Sequence, residues 1–295
     1  MLKSYIQLPP DFSFDECLVF LNRSDREILH RVHNKSLTKA FRIGHETCLT
    51  SITVKSDKMM LRFERDISNE AARFIRSEVS EWFDLSCDLA NVYRLMKKDP
   101  KLFALTKRFH GLRLIGIPDL FEALAWAVIG QQINLAFAYT LKQRLIDVAG
   151  QSLTHDGLPY GLFPDPATVA DLRVDTLRKL QFSTRKAEYL IHIARQIADK
   201  RIEKTALQNY SLSQIVERLT AERGIGAWTA HYVAMKCLRQ ANAFPIGDAG
   251  LHQAVLHIYQ MKKKPTLIQI EKKSKLWQGC EAYAVFYLWR SLQET

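Results

Sequence analysis

Leu219-Thr-Ala-Glu-Arg-Gly-Ile-Gly-Ala-Trp-Thr-Ala-His-Tyr-Val-Ala-Met235 is the stretch on which the reading of this chain turns. Apolar residues at helical spacing run up to Leu219 and resume after Gly226. Two helices are therefore expected, one ending near Thr220 and one beginning near Ala227. The Gly224-Ile225-Gly226 turn between them lets the backbone bend sharply and bare successive N–H groups. Those groups lie at a helix N-terminus, where the dipole also favours an anion. The Thr229 hydroxyl adds a further donor. The pattern suits a backbone phosphate, although a plain connection between two helices can use the same glycines.

Downstream of it lies Phe244-Pro-Ile-Gly-Asp248-Ala-Gly-Leu-His-Gln-Ala-Val255. Asp248 stands just before an amphipathic run through Leu251, Val255 and Ile258. It reads first as an N-cap, which is all that most Asp residues in such a place do. Trp228 and Tyr232 are one helical turn apart and share a face. That spacing is common in cores, but beside the hairpin it reads better as a pocket wall.

The ordered set resembles the helix-hairpin-helix DNA glycosylase superfamily. The set comprises Gly-Ile-Gly-x-Trp-Thr-Ala, Phe-Pro-x-x-Asp after a helix, the upstream Phe121-Glu-Ala-Leu-Ala-Trp-Ala-Val-Ile-Gly-Gln-Gln-Ile-Asn134 and the C-terminal Trp277-Gln-Gly-Cys-Glu-Ala-Tyr-Ala284 with Tyr287-Leu-Trp289. The DNA-3-methyladenine glycosylase II type is the nearest subfamily. The resemblance covers roughly residues 100–290 and is weaker before them.

It implies Asp248 as the catalytic carboxylate and Gly224, Gly226 and Thr229 at a phosphate. It implies Trp228, Tyr232 and Trp289 around the base, with Gln131 and Gln132 on the DNA and Gln132 wedging into the stack. Backbone carbonyls that include those of Thr220 and Glu222 would hold a monovalent cation, sodium or potassium; no cofactor is required. Arg223 stands where the family often has Pro, and Gly247 where some relatives carry a second acid, so a paired-carboxylate mechanism is not expected. In bifunctional glycosylase–lyases a Lys occupies the position of Trp228, and the endonuclease III kind has a four-cysteine cluster near its end. Here only Cys280 follows Asp248. Lys186 and Arg185 are further candidates for phosphate contact, although a solvated helix start explains either one.

The chain changes character near residue 85. Lys39–Ile43, Cys48–Val54 and Met59–Glu64 are short, partly alternating and rich in β-branched and aromatic residues, which reads as strands, with a turn at Ser56-Asp57-Lys58. Ser68–Phe83 has helical period, with Ala72, Ile75, Val79 and Trp82 on one face. Beyond it, Asp119 with Glu122 forms a capping-box pattern. Asn134 caps a helix that Gly150 stops. Helices are expected at 167–172, 175–180, 184–199 and 211–220. Residues 151–166, with three prolines and two glycines, read as a loop.

The expected fold is thus α+β. A small N-terminal antiparallel-sheet and helix domain (1–84) precedes a two-lobed all-α glycosylase core (85–295), with the hairpin at about 212–239.

Composition bounds the rest. In 295 residues, 42 Lys and Arg face 31 Asp and Glu, a net charge of +11, with 47% hydrophobic residues. Such a chain is folded rather than disordered, and its charge suits a polyanion. No apolar run is long enough for a membrane span, and the N-terminus lacks a signal-peptide core. Five scattered cysteines with no Cys-x-x-Cys pair fit reduced thiols in a cytoplasmic protein.

The expected protein is a monofunctional enzyme that excises alkylated bases such as 3-methyladenine and 7-methylguanine from double-stranded DNA, as a monomer and with no membrane partner. The alternatives are a non-catalytic hairpin DNA-binding protein and a glycosylase–lyase.

Overall fold

The computed structural model describes residues 2–44 and 46–294. Five antiparallel strands, β1 (Lys3–Gln7), β2 (His30–His33), β3 (Ser36–Ile43), β4 (Glu46–Lys55) and β5 (Lys58–Phe63), form one sheet in the order β1-β5-β4-β3-β2. The three strands expected from alternation are β3, β4 and β5. The β4–β5 register closes with Lys55 opposite Lys58, so Ser56-Asp57 is a two-residue turn, with Ser56 at φ +56°. β1 and β2 were not legible, because each is short and lies at an edge.

The helix Asn69–Trp82 packs beside the sheet through Ala72, Ile75, Val79 and Trp82, all buried. Its cap is the Ser68 hydroxyl, which accepts from the Ala71 N–H at 3.0 Å. Replacing Ser68 by Ala removes that acceptor. Unfolding measurements should show a loss of about 1 kcal/mol with the fold unchanged.

From residue 89 onward the chain is mostly helical. Helices at Leu120–Gly130, Leu135–Ala149, Pro166–Ala170, Val174–Lys179, Thr184–Ala198 and Leu212–Thr220 occupy the expected segments. One hydrophobic core runs from Leu8 through to Leu288, so the sheet region and the helical region share buried surface. Buried Arg113 adds a polar tie, donating to the Asp11 carbonyl at 3.0 Å and the Cys87 carbonyl at 2.6 Å.

Two local expectations are corrected. Residues 151–162 are not a loop but a hairpin of β6 (Gln151–His155) and β7 (Leu158–Leu162). Asp156-Gly157, both at positive φ, forms its turn, the pairing that two-residue hairpins favour. Its apolar residues are few, and it holds because Tyr160 and Leu162 pack on Ala40 and Leu49 of the distant sheet. The Asp119–Glu122 capping box is only half present. Asp119 accepts from the Glu122 N–H, while the Glu122 carboxylate turns into a cavity of about 330 Å³ beneath the sheet.

Candidate active site

The hairpin helices are Leu212–Thr220 and Ala227–Lys236. A Ser211 capping box with Gln214 starts the first, and Ile215 and Leu219 bury its apolar face. Gly224 turns the chain at φ +95°, and a Cβ there would sit 2.3 Å from the Tyr189 ring, so only glycine fits. Gly226 is different in kind. It is the N-cap of the second helix, its φ is ordinary, and a Cβ would meet nothing within 4 Å. Its exposed backbone leaves the helix N-terminus open to an approaching anion.

Asp248 caps the helix Ala249–Ile258, as its position in the sequence suggested. Its Oδ1 accepts two hydrogen bonds, from the Leu251 N–H at 2.7 Å and from the Trp289 indole N–H at 2.8 Å. Oδ2 accepts none among the described residues. The carboxylate is therefore held at one oxygen and free at the other. Gly250 leaves room beside the carboxylate, since a Cβ there would lie 3.1 Å from Asp248 Oδ1.

From Trp289 an aromatic row runs back to the hairpin. The Trp289 and Tyr232 rings lie 6.1 Å apart, and Tyr232 stacks on Trp228 at 5.5 Å with 29° between the planes. Trp228 and Trp289 are partly exposed, and Tyr232 is buried. Burial raises the pKa of the Tyr232 hydroxyl and keeps it protonated. Trp126 packs on Tyr139 at 4.9 Å. These side chains come from four separate helices and meet only in the folded chain.

The Gly-Gln-Gln segment ends the helix Leu120–Gly130. Gln132 is exposed at its tip with φ +57°. Gln131 is turned inward instead. Its side-chain amide donates to the Gly224 carbonyl and to the Thr229 hydroxyl, both at 3.1 Å. Thr229 is accordingly buried at 1% exposure. Both side chains are hydrogen-bonded to each other and brace the hairpin from within. Lys186 departs from expectation in the same way. Its ammonium donates to the Ile129 carbonyl and, at 2.7 Å, to the Gln131 carbonyl, and burial lowers its pKa to about 8. Sequence spacing could not reveal these roles, because the partners lie on other helices. Arg223 pairs with Glu188 at 2.6 Å on the surface.

Thr220 ends its helix, and its carbonyl accepts no backbone hydrogen bond from outside that helix among the described residues. The Glu222 carbonyl accepts the Ile225 N–H at 3.1 Å. Oxygen donors at a helix C-terminus are of the right type for a hard monovalent cation.

Comparison with known proteins places this geometry. A family model described as the HhH-GPD superfamily of base excision DNA repair proteins matches residues 125–279, and the AlkA N-terminal domain matches residues 6–119. The chain belongs to the HhH-GPD superfamily. Among its relatives, the DNA-3-methyladenine glycosylase of Bacillus subtilis is 39% identical over 97% of this chain and 96% of its own length. DNA-3-methyladenine glycosylase 2 of Escherichia coli is 29% identical over 72% of this chain and 70% of its own. Among solved structures, the 3-methyladenine DNA-glycosylase of Archaeoglobus fulgidus superposes with a TM-score of 0.83 at 25% identity, covering 97% of both chains.

Proposed function

We infer that this protein is a monofunctional DNA-3-methyladenine glycosylase II, which hydrolyses the N-glycosidic bond of alkylated bases in double-stranded DNA and leaves an abasic site. The observation that carries the reading is the half-free Asp248 carboxylate at the end of the Trp289–Tyr232–Trp228 row.

Breaking a deoxyribose N-glycosidic bond builds positive charge on the sugar. A fixed carboxylate beneath the ring stabilises that charge in a site where water is scarce. The Trp289 N–H and the Leu251 N–H hold Oδ1, so Oδ2 is the oxygen that faces the sugar and orients the attacking water. An N3- or N7-alkylated purine is already cationic and leaves neutral without a general acid. The pocket therefore needs aromatic faces more than a second carboxylate, and attraction of a cation to an indole is worth about 0.5–2 kcal/mol. Hairpin N–H groups at Gly226 take a phosphate near the lesion, and Gln132 fills the gap in the stack. A sodium or potassium ion at the Thr220 and Glu222 carbonyls would stiffen the turn; it takes no part in the bond cleavage.

A strand-cutting lyase needs an amine that attacks the sugar and forms a Schiff base. Trp228 occupies the position beside the hairpin, and its indole nitrogen is not nucleophilic. Lys236 is buried, donates to the Ile115 carbonyl, and lies about 12 Å along the helix from Trp228. Incubation with methylated DNA should release free alkylated bases, and borohydride should trap no covalent adduct. An adduct that persists after the N-terminal amine is blocked would replace this reading by the glycosylase–lyase one. A non-catalytic DNA-binding protein would release no base at all.

A further inference from the structure

We propose that Lys186 and Gln131 are positioning residues for base flipping, through which the helix Thr184–Ala198 holds the Gln132 tip in fixed register with the DNA-binding hairpin. The inference rests on the reading above, in which Gln132 enters the stack and the hairpin grips a phosphate.

The tip is held in a backbone state that needs support. Gln132 sits at φ +57°, a left-handed state that a residue with a Cβ disfavours, and such states persist only when the surroundings dictate them. Its surroundings do so from both sides. On the chain before it, Lys186 Nζ binds the carbonyls of Ile129 and Gln131. On the chain after it, the Asn134 side chain accepts the Phe137 N–H at 2.8 Å and starts the next helix. The Gln131 amide then reaches across to the Gly224 carbonyl and the Thr229 hydroxyl, so tip and hairpin share one side chain.

The same helix that supplies Lys186 also buttresses the hairpin. Glu188 pairs with Arg223, the Tyr189 ring fills the space that a side chain at Gly224 would need, and His192 bonds the Glu222 carboxylate at 2.9 Å. Successive turns of one helix thus reference both DNA-contacting elements. An ammonium group partly enclosed and bound to two carbonyls is committed inward, which separates this role from a phosphate contact.

The physical consequence concerns extrusion of the base. Unstacking is unfavourable, and a wedge offsets that only if it stands at the right distance from the gripped backbone. A misplacement of about 1 Å is enough to reduce a rate on the order of 10²-fold. A tip that is free to swing relative to the hairpin loses this advantage, while the chemistry at Asp248 is untouched.

The test compares one alkylated base in two settings, a fully paired duplex and a bubble of unpaired bases, which needs no wedge. Single-turnover release is measured for wild type, Lys186→Met, Lys186→Arg and Gln131→Leu, each with its thermal midpoint. The two disabling variants should be on the order of 10–10²-fold slower on the duplex and within a few-fold of wild type in the bubble. Lys186→Arg should recover part of the duplex rate. Equal slowing on both substrates, or no slowing on the duplex, overturns the proposal. Should Lys186→Met not fold, Gln131→Leu decides by the same comparison. Failure of the wild type to release base from either substrate would instead overturn the glycosylase reading.

Discussion

Asp248→Asn folds and binds DNA like the wild type but releases alkylated base at least about 10²–10³-fold more slowly, the range seen when a preorganised electrostatic partner of the transition state is removed. The expectation of intact folding comes from the two bonds at Oδ1. An amide oxygen can accept the Leu251 N–H and the Trp289 N–H as a carboxylate oxygen does, and Asn is as good an N-cap as Asp. What the amide lacks is the negative charge on the free side, which in the proposed mechanism faces the sugar as the bond breaks. Single-turnover release with the freed bases identified measures the effect, and the thermal midpoint confirms the fold. Release close to the wild-type rate would remove Asp248 from catalysis.

The two hairpin glycines should separate folding from binding. Gly224→Ala puts a Cβ into the Tyr189 ring at a positive φ, so it should lower stability by about 1–2 kcal/mol or more and disturb the turn. Gly226→Val meets open space but gives up a favoured N-cap residue, so it should fold with a loss of about 0.5–1 kcal/mol, smaller than that of Gly224→Ala. Its side chain nevertheless stands where a phosphate would approach the helix N-terminus. Binding to an abasic duplex should weaken about tenfold, by similar amounts for every flanking sequence, because a backbone contact carries no sequence information. Wild-type affinity should fall steeply with salt, in keeping with several neutralised phosphates. Salt titrations of both proteins on two unrelated duplexes provide the check. Unchanged affinity for Gly226→Val would move the phosphate site elsewhere.

Much of the molecule is legible in its sequence, and the reasons are local. Ser68, Asp119, Asn134 and Asp248 announce helix starts through side chains that bond their own backbone three residues on. Gly224 announces the turn through a conformation other residues resist. β3, β4 and β5 follow from alternation and a two-residue turn. Such signals are written within a few residues, so a linear reading can recover them. β6 and β7 stayed hidden, since they depend on a sheet more than a hundred residues earlier in the chain.

The hairpin, the helix that Asp248 caps and the one-turn spacing of Trp228 and Tyr232 all follow from residues near one another in the chain. The absence of an amine at position 228 is likewise plain from the sequence. Which side chains meet is set by the packing of the helices. It turned Gln131, Thr229 and Lys186 inward, although their types alone suit contact with DNA. It also brought Trp289 onto Asp248, leaving the other carboxylate oxygen free. The reason is that a capping bond or a tight turn is settled by neighbours along the chain. The direction in which a polar side chain points depends on which acceptors the packing of other helices places within reach.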